Sequence, residues 1–137
     1  MKFVFFDTSP LIYYLDGIEP FASKVENYML SAMNEKYSLY TSTITDMEYL
    51  VYPYRVNNLV KISAYKSFLT NAHFLKVSIN EKMAETAAQI RAKYSGIKSM
   101  DALQLASAII SGCDVFLTND KQLRQVEEMQ VLLVDDL

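Results

Sequence analysis

Ser99-Met100-Asp101-Ala102-Leu103-Gln104-Leu105-Ala106-Ser107-Ala108-Ile109-Ile110 is the stretch from which the rest of the chain is best read. Its Ala, Leu and Ile content predicts a helix, with Ser99 as its cap and Gly112 as its stop. Projected at about 100° per residue, its apolar residues cover nearly the whole circumference. A helix that is apolar all round belongs in the middle of a domain. It nevertheless carries one charge, Asp101, in its first turn. A lone buried carboxylate is costly unless donors or a cation meet it. The helix N-terminus supplies only part of that compensation, through its free N–H groups and its dipole. What the chain does therefore turns on whether other acids arrive at the same place.

Working outward, Asp114 to Leu117 reads as a buried strand with Thr118-Asn119-Asp120 at its carboxyl end. At the start of the chain, Lys2 to Phe6 reads as a strand buried on both faces, with Asp7 at its carboxyl end. Thr8-Ser9-Pro10 then opens a helix that runs to Gly17, and Asp7, Thr8 or Ser9 can each serve as its cap. Pro20 starts a second helix with Phe21, Val25, Tyr28, Met29 and Met33 on its apolar face, and Ser38 to Ser42 is the next strand. The helix from Thr43 to about Val56 has Ile44, Met47, Val51 and Tyr54 as its apolar stripe, and Pro53 is expected to kink it or end it early. Thr43 is its preferred cap, with Asp46 at the third helical position. The competing reading, a Thr45–Glu48 capping box, would use Glu48 up. Leu59 to Asn71 and Asn80 to Tyr94 are further helices, the latter with Met83, Ala87 and Ile90 on one face. Phe74 to Val77 and Val131 to Val134 are strands, and Lys121 to Arg124 is a helical turn.

Strands alternating with helices predict an α/β domain with a mainly parallel sheet. Right-handed crossovers put the carboxyl ends of parallel strands on one edge, where ligands bind. Asp7 and Asp120 each follow a strand's carboxyl end, and Glu48 and Asp101 lie in early turns of helices reaching that edge. Asp114 precedes its strand and belongs to the opposite edge. Four acids in one cleft repel one another and raise one another's pKa values. Such a set of hard oxygen donors suits Mg²⁺ or Mn²⁺ rather than zinc. The chemistry this suggests is metal-assisted phosphodiester hydrolysis.

Composition narrows the alternatives. The chain has 137 residues, 51% of them apolar and 21% charged, which predicts one globular domain over residues 1–137. No apolar run approaches the ~20 residues that cross a membrane, and the start is too short and too soon interrupted for a signal peptide. Cys113 is alone, so a disulfide framework and a cysteine zinc site are excluded, which suits a cytoplasmic location. The net charge of −3 argues against indiscriminate binding to phosphates. His73 is the only histidine, so a metal-free two-histidine ribonuclease mechanism cannot be built. Gly17, Gly96 and Gly112 make no dinucleotide-binding loop. Ser9 stands where a haloacid-dehalogenase phosphatase has its second Asp, and Asp7 alone does not make the acidic pair of a receiver domain.

Four segments carry a more specific likeness. Asp7-Thr8-Ser9-Pro10-Leu11-Ile12, Ile44-Thr45-Asp46-Met47-Glu48-Tyr49-Leu50, Met100-Asp101-Ala102-Leu103-Gln104-Leu105-Ala106 and Leu117-Thr118-Asn119-Asp120 resemble, in order and spacing, the signature segments of the PIN domain family. The compact chain resembles the VapC-type toxins within it. The resemblance implies a five-stranded sheet in the order 3-2-1-4-5 with helices on both faces. It implies an Mg²⁺- or Mn²⁺-dependent endoribonuclease, with Asp7, Glu48 and Asp101 as core acids and Asp120 as a fourth, more variable one. Thr118, or Ser9 and Thr8, matches a polar position that orients a carboxylate or water. An RNA substrate, a small antitoxin covering the cleft and a homodimer are the implied partners. The alternative is a chain of this fold that works by association or inside an RNA-processing assembly. Arg55, Lys61, Lys66, Lys98 and Lys121 are candidate phosphate contacts, against a reading as solvated charge. Tyr13, Tyr14, Tyr52 and Tyr54 are candidate stacking residues, against core packing or a dimer surface.

Overall fold

Short apolar runs form the centre of the sheet, where β1 (Phe3–Phe6) and β4 (Val115–Thr118) are buried by helices on both faces, while the edge strands are more exposed. The computed structural model describes residues 2–137. Its strands are β1 (Phe3–Phe6), β2 (Ser38–Ser42), β3 (Leu75–Val77), β4 (Val115–Thr118) and β5 (Gln130–Leu133). They form one sheet in the order β3-β2-β1-β4-β5, with every pairing parallel. Phe5 is registered with Tyr40 on one side and Phe116 on the other. The helices are α1 (Thr8–Asp16), α2 (Phe21–Asn34), α3 (Thr43–Arg55), α4 (Leu59–Asn71), α5 (Glu81–Lys93) and α6 (Ser99–Ile110). Short 3-10 turns cover Lys121–Gln125 and Val134–Asp136. No helix among the described residues is long and apolar enough to cross a membrane.

Successive residues of a strand face opposite sides, so β1 divides the core in two. Val4 and Phe6 pack with Leu11, Val25, Met29, Tyr49, Tyr65 and Leu69 from α1 to α4. Phe5 and Phe116, stacked with centroids 5.4 Å apart, pack with Met83, Ala87, Ile90, Ala102, Leu105 and Ala106 from α5 and α6. The expected α/β architecture, sheet order and two-sided helix cover are all present. The central helix is α6, whose Ala102 and Leu105 through Ala108 are buried.

Several local expectations are corrected. Lys98, not Ser99, occupies the cap of α6 and makes no side-chain capping bond. Ser99 is the first helical residue, and its Oγ accepts from Arg91 Nη1 at 3.0 Å. Arg91 Nε also donates to Ile97 O at 3.0 Å, so α5 pins the entry to α6. Ser42, the last residue of β2, caps α3 by accepting from Ile44 N at 3.1 Å, which displaces the expected Thr43 by one residue. Pro53 does not end α3 early: the helix continues to Arg55 with Pro53 buried in its last turn. The apolar stripe is also re-aimed. Met47, Val51 and Tyr54 are 55%, 50% and 55% exposed, and α3 turns Ile44, Thr45, Tyr49 and Pro53 inward. Met33 likewise lies outside the buried face of α2, which is Ala22, Val25, Met29 and Ala32.

Candidate active site

Parallel strands bring the ends of β1, β2 and β4 to one edge, and the site is built there. Asp7 follows β1 and caps α1, its Oδ1 accepting from Thr8 N at 2.8 Å. Its Oδ2 accepts from the Thr118 hydroxyl at the end of β4, at 2.9 Å. Thr118 Oγ1 also accepts from Asp120 N at 3.2 Å, and Asp120 caps the turn that follows by accepting from Gln122 N. Glu48, in the second turn of α3, takes the Thr8 hydroxyl on Oε1 at 2.6 Å. Asp101 reaches the same place from the first turn of α6.

Asp7, Glu48, Asp101 and Asp120, with Thr8, Ser9 and Ile12, line one cavity of about 360 Å³. The structure thus brings the four sequence-predicted acids together, and Asp114 lies at the opposite edge, accepting from Phe3 N at 2.9 Å. Asp46, expected at the third position of α3, accepts from the Tyr65 hydroxyl and pairs with Lys76 at 2.9 Å, outside the cavity. Among the described residues, no three His, Cys, Asp or Glu side chains are drawn into a ready metal cluster; the carboxylates line the cavity wall.

Electrostatics mark the site. Burial pushes the Asp7 carboxyl up to about 7, against the hydrogen bonds from Thr118 and Thr8, with Asp101 and Glu48 adding to the rise. Burial also raises Asp101, reinforced by Asp120 and Glu48 and opposed by Lys98. Clustered carboxyls raised by burial and by one another are a functional-site signature. The donors are all hard carboxylate and hydroxyl oxygens, and no basic side chain lines the cavity. That donor set fits Mg²⁺ or Mn²⁺.

The candidate substrate contacts divide. Lys61 stands next to the cavity in a groove with Glu48, Tyr52 and Tyr49, but pairs with Asp16 at 2.8 Å. Lys98 and Lys121 flank Asp101 and Asp120 in sequence, and Arg55 and Lys66 are exposed. Tyr13 stacks on Phe21 and Tyr14 packs on Phe68, as core residues do, whereas Tyr52 and Tyr54 are exposed. Cys113 is buried, and burial pushes its thiol up to about 12.

Sequence reasoning missed the layer beneath the acids. Gln104, three residues after Asp101, is 1% exposed and donates through Nε2 to Thr45 Oγ1 at 2.9 Å and Thr8 Oγ1 at 3.2 Å. The Ser42 hydroxyl donates to Gln104 Oε1. The available signal was Gln104 itself, since an amide inside an otherwise apolar helix demands buried partners.

The PIN domain family matches this chain over residues 4–129. No curated protein matches it in sequence. Among solved structures, a toxin–antitoxin complex from Klebsiella pneumoniae superposes with a TM-score of 0.74 at 22% identity, over 96% of this chain and 97% of the other. FitAcB from Neisseria gonorrhoeae gives 0.74 at 20% identity, over 98% and 99%. DNA-bound VapBC from Salmonella typhimurium gives 0.71 at 17%, also over 98% and 99%. At these identities the likeness is one of fold.

Proposed function

The chain belongs to the PIN domain family, and from that premise we propose that residues 1–137 are a metal-dependent endoribonuclease, the toxin of a toxin–antitoxin pair. The observation that carries the reading is the convergence of Asp7, Glu48, Asp101 and Asp120 on one cavity at the carboxyl edge of the sheet. The similar structures include complexes described as toxin–antitoxin and VapBC, which supports a small antitoxin as partner. Exposed Met47, Val51, Leu59 and Val60 on α3 and α4 support a protein-covered surface, with a homodimer as the simplest assembly. A cytoplasmic location accords with these partners and with RNA as substrate.

In this mechanism Asp7, Glu48, Asp101 and Asp120 would hold Mg²⁺ or Mn²⁺. When bound, such an ion acidifies a water and neutralises charge growing on the phosphoryl oxygens. The chain's own part is to present the oxygens correctly. Thr8 N–H and the Thr118 hydroxyl each occupy one lone pair of the Asp7 carboxylate, fixing its plane and leaving a lone pair free on each oxygen. Thr8 does the same for Glu48 Oε1. Asp101, whose carboxyl is raised by burial and by the neighbouring Asp120 and Glu48, faces the same cavity and would be held in its charged form by a bound cation. The leaving oxygen of the RNA takes its proton from solvent at the open mouth of the cleft.

Cleavage of mixed cellular RNA by the purified chain, in EDTA, Mg²⁺ or Mn²⁺, tests the reading. The expected result is cutting with either metal, none in EDTA, and none by Asp7→Asn or Asp101→Asn. Equal cutting by the substituted chains would sink the mechanism, and a folded wild type that cuts nothing would favour a binding role.

A further inference from the structure

We propose that Gln104 is a positioning residue for the cleavage reaction: its carboxamide sets the direction of the Thr8 hydroxyl and so fixes Glu48. The inference rests on the reading of the acidic cleft above, and it concerns a residue that touches none of the acids.

Proton counting gives the direction. Ser42 Oγ already accepts from Ile44 N, and its single proton goes to Gln104 Oε1. That bond fixes which end of the carboxamide is oxygen, so Nε2 faces the threonines. Its two protons are then spent on Thr45 Oγ1 and Thr8 Oγ1, at 2.9 and 3.2 Å. Thr8, accepting from Gln104, has one proton left, and its short contact is Glu48 Oε1 at 2.6 Å. Thr45 lies 3.2 Å from Thr8 Oγ1 and 2.9 Å from Thr41 Oγ1, and Thr41 also reaches Phe6 O at 3.0 Å. Thr8, Thr41, Ser42, Thr45 and Gln104 are all buried, and no buried side-chain polar atom among the described residues lacks a partner.

A closed network of this kind has few alternative proton arrangements, because reversing one bond strands another group in a dry interior. It joins α6, β2, α3 and α1 under the cleft, so the helix that brings Asp101 also steadies Glu48 through Thr8. Without the amide, the Thr8 hydroxyl oxygen loses the donor that holds it, and the 2.6 Å bond to Glu48 is no longer fixed in direction.

The test is a double-mutant cycle of Gln104→Leu and Thr8→Val, read by Mn²⁺ affinity from calorimetry and by kcat and KM on RNA. Gln104→Leu is expected to weaken Mn²⁺ binding and lower kcat by about 10–100-fold, the usual effect of losing a group behind a metal ligand, with KM nearly unchanged. The double variant should be no worse than Thr8→Val alone. A purely structural Gln104 would give additive losses in the cycle, and that result overturns the proposal. So does a Gln104→Leu chain with wild-type Mn²⁺ affinity and kcat. If Gln104→Leu does not fold, Ser42→Ala, which frees the carboxamide to turn over, carries the same cycle with the same two outcomes. A wild type that binds no Mn²⁺ would overturn the cleft reading and this proposal together, whereas normal wild-type binding with an additive cycle removes this proposal alone.

Discussion

Asp7 is the residue where function works against stability. Its folded pKa, about 7, lies well above the 3.8 of an exposed Asp, chiefly because it is buried. The folded state therefore binds the Asp7 proton more tightly than the unfolded state does. Its contribution to stability is complete below the unfolded value and is lost as pH rises through the folded one. That stability is lost between about pH 4 and pH 7 in the absence of a cation. Asp7→Asn keeps a group of the same shape and removes the ionisation. In EDTA it should be more stable than the wild type at pH 8, with the gap closing toward pH 4. Urea unfolding across that range, followed by circular dichroism, measures the gap; a gap that is constant with pH would show that Asp7 is not the titrating group. Asp7 was legible from the sequence as an acid at a strand's carboxyl end. Thr8 was legible only as a polar neighbour, because its role depends on Gln104 and Glu48, 96 and 40 residues away.

Among the elements, α3 shows most clearly where sequence patterns stop being informative. Met47, Val51 and Tyr54 make a good apolar stripe, yet they face outward. The inward side carries Thr45 and Tyr49 beside Ile44, because it serves the buried hydrogen-bond layer and the Asp16 and Tyr65 contacts of Tyr49. Periodicity finds a stripe but cannot say whether it meets this chain's own core or a partner. The central strands β1 and β4 were legible because burial on both sides of a parallel sheet leaves plain apolar runs. Caps moved by a residue where a strand's last side chain, such as Ser42, doubled as the cap. The corrected phase of α3 can be checked. Tyr49 is 6% exposed and stacks on Tyr65 with ring centroids 4.6 Å apart. Tyr49→Ala should cost about 3–5 kcal/mol, as loss of a large buried ring does. Val51→Ser should stay within about 0.5 kcal/mol in the isolated chain. Denaturant midpoints decide between the two phases, since the sequence-based stripe gives the opposite order.

For the whole molecule, the sheet's polarity separates two kinds of acid. At the carboxyl edge, Asp7, Glu48, Asp101 and Asp120 surround a cavity from four different segments, so the site exists only when β1, α3, α6 and β4 are all in place. At the opposite edge, Asp114 ties β4 to the start of β1 by accepting from Phe3 N. An ion that binds the folded cleft and not the unfolded chain must stabilise the whole fold by mass action, by about 2.7 kcal/mol at a hundredfold excess over Kd. For a 137-residue chain this is a rise in Tm on the order of 10 °C. Excess Mn²⁺ should produce that rise in the wild type, and EDTA should reverse it. Asp101→Asn should remove most of the response. Asp114→Asn, which keeps an acceptor for Phe3 N, should respond as the wild type does even if its own Tm is lower. Calorimetric scans of the three proteins with and without Mn²⁺ separate the edges. An equal loss of response in Asp114→Asn would mean that the ion acts through overall charge rather than through the cleft. A wild type without any response would remove the metal site from the carboxyl edge and, with it, the reason for burying Asp7 there.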